Sequence, residues 1–276
     1  IVLLPGLGWQ SVFYVAAVPL VVLPFILRYL PESVGFMIRQ GHEAKAREVL
    51  HRIQPAFVSL PGDAFVVPAL KAQGAPLVQL FREGRGISTV LLCLVFFCCL
   101  LMIYALNSWL PKLMISAGYG LGSSLSFLLL MNVGAIFGAV GGGWIGDRLG
   151  LRRVLIVFFL LAAASISLLG FNSPTAILYA LIAGATTIGT QILAYSCVAQ
   201  FFPMGIRTTA LGWISGIGRS GAISGPILGG VLVNIQLPLQ LNFIVFAIPG
   251  CLAALAMCFV RHRNVKLKAQ GSTQPV

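Results

Sequence analysis

Between Thr208 and Gly230 the chain reads TALGWISGIGRSGAISGPILGG after its first threonine, an apolar, glycine-rich run that contains one cation, Arg219. If a membrane helix starts near Thr208, a rise of about 1.5 Å per residue puts Arg219 roughly 17 Å deep, near the middle of a hydrocarbon core about 30 Å thick. A charge at that depth faces a bundle interior or a water-filled cavity and meets an opposite charge or a substrate. Gly212, Ser215 and Gly216 share its helical face and leave room beside the guanidinium. A guanidinium grips a carboxylate through two hydrogen bonds and stacks on an aromatic ring, chemistry that suits an aromatic acid better than a neutral sugar. The competing reading pairs Arg219 with helix carbonyls or with an acid elsewhere in a longer protein.

Other polar groups within apolar runs are Tyr104 and Asn107, then Asn132, then Thr187, Gln191 and Tyr195 at i, i+4 and i+8, and Trp213 beside the arginine run. Tyr104, Asn107, Asn132, Gln191, Tyr195 and Trp213 are therefore candidates to surround a ring held at Arg219. Each also works as interhelical glue. No Asp, Glu or His falls inside an expected span, so no intramembrane carrier of a coupling proton is visible.

The elements that position these groups are set by composition. The chain is 58% hydrophobic and 9% charged, with a mean hydropathy of +0.98, the profile of an all-α polytopic membrane protein. Its net charge of +12 is dispersed between apolar runs, which favours topology over nucleic acid as the explanation. Cys93, Cys98, Cys99, Cys197, Cys251 and Cys258 all lie in apolar runs with no CxxC pair and read as small packing residues. No Ser/His/Asp set, no HExxH and no metal-ligand cluster points to an enzyme, and none points to a bound cofactor.

Spans are expected at 9–27, 87–110, 123–145, 154–171, 175–199, 208–233 and 241–260, with Trp9 as an interfacial anchor. The basic residues fall on one side and only Lys112 on the other, which makes the basic side cytoplasmic and the carboxyl terminus with it. Residues 30–86 form the one long loop, in which 42–53 reads as a short amphipathic helix with Glu43–Arg47 and Glu48–Arg52 pairs on its surface; His42 and His51 read as solvated. The expected division is one span at 1–29, the loop at 30–86, six spans at 87–260 and a tail at 261–276. Two six-span halves joined by a long loop is the layout of major facilitator transporters, so the chain is expected to carry the last span of a first half and a complete second half.

The turn GWIGDRLGLRR at 143–153 resembles the signature loop of that superfamily, with Gly143, Asp147, Arg148, Gly150, Arg152 and Arg153 on the pattern. Gly150 permits the tight turn, and Asp147 is expected to meet Arg207 or the helix end beside it as a gate. The alternative is a loop whose charges only fix topology. VAQFFP, GWISGIGR and GPILGG within 195–230, NSWLPKLMISAGYGLGSSLSFLLLMNVGAIFG at 107–138 and LPES at 30–33 resemble the aromatic acid:proton symporter family, especially its benzoate-type members. That resemblance implies import of a small aromatic carboxylate with protons across a bacterial inner membrane, and partners that include the bilayer and a first half carrying the acidic coupling motif. A sugar or other organic-solute porter, or an inactive truncated fragment, is the alternative.

Glycine pairs Gly212/Gly216, Gly221/Gly225 and Gly225/Gly229, and the stripe Gly134, Gly138 and Gly142, are expected to let helices approach closely, and Pro226 to kink its helix.

Overall fold

The computed structural model describes residues 10–29, 32, 34–53, 76–82, 84–171 and 174–260. Every regular element among the described residues is an α-helix, and the chain divides into two compact units, 1–71 and 72–276. Trp9, three residues of the 30–33 motif and the tail 261–276 lie outside the described residues.

The first unit holds α1 (Gln10–Tyr29), α2 (Val34–Arg39) and α3 (Glu43–Ile53). Helix α1 spans 20 residues with Pro19 and Pro24 inside it, close to the apolar run read from the sequence. Gly41 takes φ +79°, in the left-handed region that favours glycine, and so turns α2 into α3. The two short helices close on Met37 and Ala46, both buried. Of the two expected i,i+4 pairs on α3, Glu43–Arg47 forms at 3.9 Å. No Glu48–Arg52 pair forms; both side chains line an open cavity of about 450 Å³ with His42 and Lys45.

The second unit opens with α4 (Pro76–Phe81) and continues through α5 (Gly86–Ser116), α6 (Leu121–Leu149), α7 (Leu151–Leu169), α8 (Ala176–Phe201), α9 (Met204–Asn234) and α10 (Leu239–Phe259). These six long helices correspond one to one with the six spans expected after the loop. Most of their ends run past the apolar runs because helices continue beyond the hydrocarbon core, where lipid no longer demands apolar side chains; the end of α7, the start of α8 and the end of α10 fall one or two residues inside. Five of them are apolar and long enough to cross a membrane by length and composition. The sixth, α9, has 31 residues and the length to do so, but glycines, serines and arginines dilute its hydropathy.

Short α4 is tied to the start of α5: the Thr89 hydroxyl donates to the Leu80 carbonyl at 2.8 Å, and Arg85 donates to Gln79 O at 3.4 Å. Consecutive long helices are joined by short turns, so neighbours run antiparallel. Gly150 alone joins α6 to α7, at φ +90°, a conformation that would strain any other residue.

The principal packing pairs are α6 with α8, α5 with α9 and α7 with α10; α7 also packs on α8 and α5 on α10. In lipid, apolar surface alone does not drive helices together, and close packing decides. Glycines supply it. A methyl group at Gly134 or Gly138 would run into the α8 backbone at Leu181 or Ala185, and one at Gly184 into Met131 of α6. Across α5 and α9, a methyl at Gly225 would stand 2.6 Å from the Leu101 carbonyl, and one at Gly221 would strike the Phe97 carbonyl.

Gly142, third of the expected stripe, packs against Phe158 and Leu193 side chains. Gly212 and Gly216 are different: nothing in the described residues lies within 4 Å of the methyl position at either. Their pair is not a packing motif in this structure and forms an open surface on α9.

Candidate functional site

Arg219 is the central residue of α9, and α9 lies along α5. The glycines between the two helices bring their backbones close enough for side chains on the rim of the contact to meet. There the Arg219 guanidinium donates through Nη1 to the Tyr104 hydroxyl oxygen at 3.1 Å. This is a contact between residues 115 positions apart, and both side chains remain accessible, Tyr104 at 37%. Because the tyrosine oxygen accepts, its own O–H stays available as a donor beside the remaining guanidinium N–H groups. The pair therefore offers a cluster of donors on one accessible face, a suitable cradle for a carboxylate, next to a phenol ring and the open Gly212/Gly216 surface.

Helix α8 contacts both α5 and α9 and brings Gln191 and Tyr195 into the same three-helix cluster. Two contacts set its height: the Cys99 thiol faces the Thr187 carbonyl at 3.8 Å, and the Tyr195 ring meets the Phe96 ring edge-on, centroids 5.0 Å apart. Gln191 lies between these levels and is half-buried. Thr187 leaves the polar face expected for it. It is fully buried and its hydroxyl returns to the Ala183 carbonyl at 2.6 Å, so it serves packing.

Asn107 is exposed on α5, its side-chain amide donating to the Ile103 carbonyl at 2.9 Å. Trp213 is 40% exposed on α9, a turn and a half before Arg219. Asn132 is exposed on α6 and donates to Leu128 O at 2.8 Å, but α6 makes no contact with α9. The structure thus assembles Tyr104 with Arg219, places Gln191 and Tyr195 on the adjoining helix, and does not bring Asn132 to Arg219.

The signature loop is arranged differently from the expected gate. Asp147 is exposed and makes no ion pair among the described residues, and because α6 and α9 do not touch, it does not reach Arg207 or the start of α9. Arg207 turns instead to its own helix entrance, donating to Phe202 O at 3.5 Å. The Arg148 guanidinium stacks 3.9 Å from the centre of the Trp144 ring. Arg152 reaches the end of α10, where it donates to Met257 O at 3.1 Å and to Cys258 O. Those carbonyls have no helical partner at a carboxyl-terminal end, and a cation there also complements the helix dipole. Arg153 is exposed, and a methyl at Gly143 would meet open space.

A contact that the sequence did not disclose ties the far ends of α5 and α9: the Trp109 indole N–H donates to the Pro226 carbonyl at 2.9 Å. Its only signal was an aromatic residue near one end of a span, which reads equally as an interfacial anchor. Among the described residues, no group of His, Cys, Asp and Glu is placed to hold a metal ion.

The Major Facilitator Superfamily model matches residues 131–275. The chain belongs to that superfamily. This major facilitator chain is 39% identical over 268 residues to a benzoate transport protein of Acinetobacter baylyi, covering 96% of the chain and 58% of that relative. It is 37% identical to a gentisate transporter of Corynebacterium glutamicum, covering 91% of the chain and 51% of the relative. With a 4-hydroxybenzoate transporter of Pseudomonas putida the identity is 33%, over 92% of the chain and 58% of the relative. The chain therefore spans a little over half the length of the curated relatives it matches, and its six long helices constitute a partial major facilitator fold.

Proposed function

We propose that this chain is the carboxyl-terminal portion of a bacterial inner-membrane secondary transporter that imports a small aromatic carboxylate, benzoate or a hydroxylated relative, by proton symport. The observation that carries the reading is the accessible Arg219–Tyr104 pair at the middle of α9. A guanidinium and a phenol O–H together match the two oxygens of a carboxylate, and the adjoining phenol ring and Trp213 offer aromatic surface. The names of the relatives support the substrate class. Transport, and not covalent chemistry, is the activity proposed.

Alternating access follows from this half rocking against the portion of the relatives that the chain does not cover, with the substrate favouring one arrangement over the other. The coupling carboxylate belongs to that portion in this reading, since among the described residues of the second unit the only acid is Asp147, at the exposed end of α6. The carboxyl terminus lies on the cytoplasmic side, by the distribution of cations.

The test is uptake of labelled benzoate by cells expressing the full-length protein, wild type against Arg219→Gln at matched membrane abundance. Accumulation by wild type and its loss in the variant support the site. Equal accumulation makes Arg219 structural, and no accumulation by wild type removes the substrate class.

A further inference from the structure

The accessible polar face of α5 continues past Tyr104. Asn107, Ser108 and Lys112 are exposed as well, and Tyr104, Ser108 and Lys112 follow one another at intervals of four, which stacks them along one stripe of the helix. At about 1.5 Å per residue, Lys112 lies roughly 12 Å along α5 from Tyr104. It sits at the end of the bundle opposite Arg82, Arg148, Arg153 and Arg207, and among the described residues of the second unit it is the single cation at that end.

Its position is built. The Lys112 ammonium rests over the Trp109 ring, 4.9 Å from the centroid. The ring is held at its edge by the hydrogen bond its N–H donates to Pro226 O, and it fills the space left by Gly229, where a methyl would stand 2.6 Å from the indole nitrogen. A lysine that only had to mark the membrane boundary would need none of these supports. Lysine is also the fitting chemistry for a transient stop: a hydrated point charge attracts an anion without the two-pronged grip of a guanidinium, so it releases what it attracts.

We propose that Lys112 is an outer carboxylate-capture residue, which concentrates the anionic substrate at the mouth and passes it along Ser108 and Asn107 to the Tyr104–Arg219 pair. The inference rests on the reading of Arg219 as the carboxylate site. An exposed charge at a mouth acts on encounter and weakens with added salt, whereas the deeper pair decides whether the substrate is carried at all.

The experiment measures KM and Vmax for labelled benzoate in proteoliposomes containing the full-length protein, at low and physiological ionic strength. Lys112→Gln is expected to raise KM about fivefold at low salt and to flatten the salt dependence, with Vmax kept, while Lys112→Arg keeps the salt dependence of wild type and lowers Vmax, because the bidentate guanidinium holds the carboxylate longer. Benzamide, the neutral analogue, should compete equally well in both proteins. An unchanged KM and salt slope in Lys112→Gln, or an equal loss of benzamide competition, overturns the capture role while wild-type uptake leaves the Arg219 site standing. Absence of benzoate uptake by wild type overturns the site and the capture role together.

Discussion

Arg219 of α9 donates to the hydroxyl of Tyr104 on α5 at 3.1 Å, and this bond joins the one cation at the middle of the helix to the one tyrosine on the facing rim. Neither residue reaches the other unless the two backbones are held close, and the glycines at 221 and 225 hold them so. Among the described residues the guanidinium turns to a phenol and not to helix carbonyls, so an acid elsewhere in a longer protein is the reading of Arg219 that competes with a substrate carboxylate.

Tyr104→Phe keeps the ring and removes the oxygen that positions Arg219. Benzoate uptake should show a KM raised by about tenfold, the worth of a hydrogen bond to a charged group, with membrane abundance unchanged. Kinetics of the variant against wild type check this, and an unaltered KM would mean that the phenol does not organise the guanidinium.

Gly221→Leu should be far worse than Gly212→Ala. The first drives a side chain into the Phe97 carbonyl, an overpacking that costs about 1–3 kcal/mol or more and lowers folded abundance in the membrane. The second adds a methyl where no described atom lies within 4 Å. Detergent-solubilised melting profiles of the two variants distinguish them.

Arg152→Ala should destabilise the protein by about 1–3 kcal/mol, because Met257 and Cys258 carbonyls lose their donor at the end of α10. Asp147→Asn, by contrast, removes a charge with no ion partner among the described residues, and its melting temperature should match wild type, as a surface change within about 0.5 kcal/mol would. A lowered melting temperature for Asp147→Asn would reveal the interhelical lock that the present arrangement lacks.

Trp109→Phe should retain most of the packing on Gly229 and lose the bond to Pro226 O. A loss of about 1 kcal/mol in stability is expected, with benzoate KM drifting upward as Lys112 loses its best aromatic support. Melting and uptake measured on the same preparation check the two effects.

The helices themselves are legible in the sequence. A chain in lipid must satisfy its backbone hydrogen bonds within each span, so a run of about 20 apolar residues has little choice but to be a helix, and six such runs after the loop became α5 to α10. Gly150 is legible as the residue that permits a tight turn; that the two helices run up to it from both sides, past the expected ends at 145 and 154, is not. The isolation of Arg219 as the residue that demands a functional or structural partner is legible too.

Which face of a helix meets which neighbour was decided only in three dimensions. Helix α9 carries GxxxG spacing on two faces, and the sequence treats Gly212/Gly216 and Gly221/Gly225 alike; rotation of α9 against α5 buries the second pair and leaves the first open. The same rotation delivers Arg219 to Tyr104 and withholds it from Asn132, whose helix never touches α9. Asp147 and Arg152 stand five residues apart in one motif, yet Arg152 closes α10 while Asp147 stays without an ion partner among the described residues, because α7 packs on α10 and α6 packs on α8. Composition determines that each segment is a membrane helix through the cost of unpaired backbone in lipid, whereas azimuth and depth between helices depend on the mutual fit of two surfaces, which no single segment encodes.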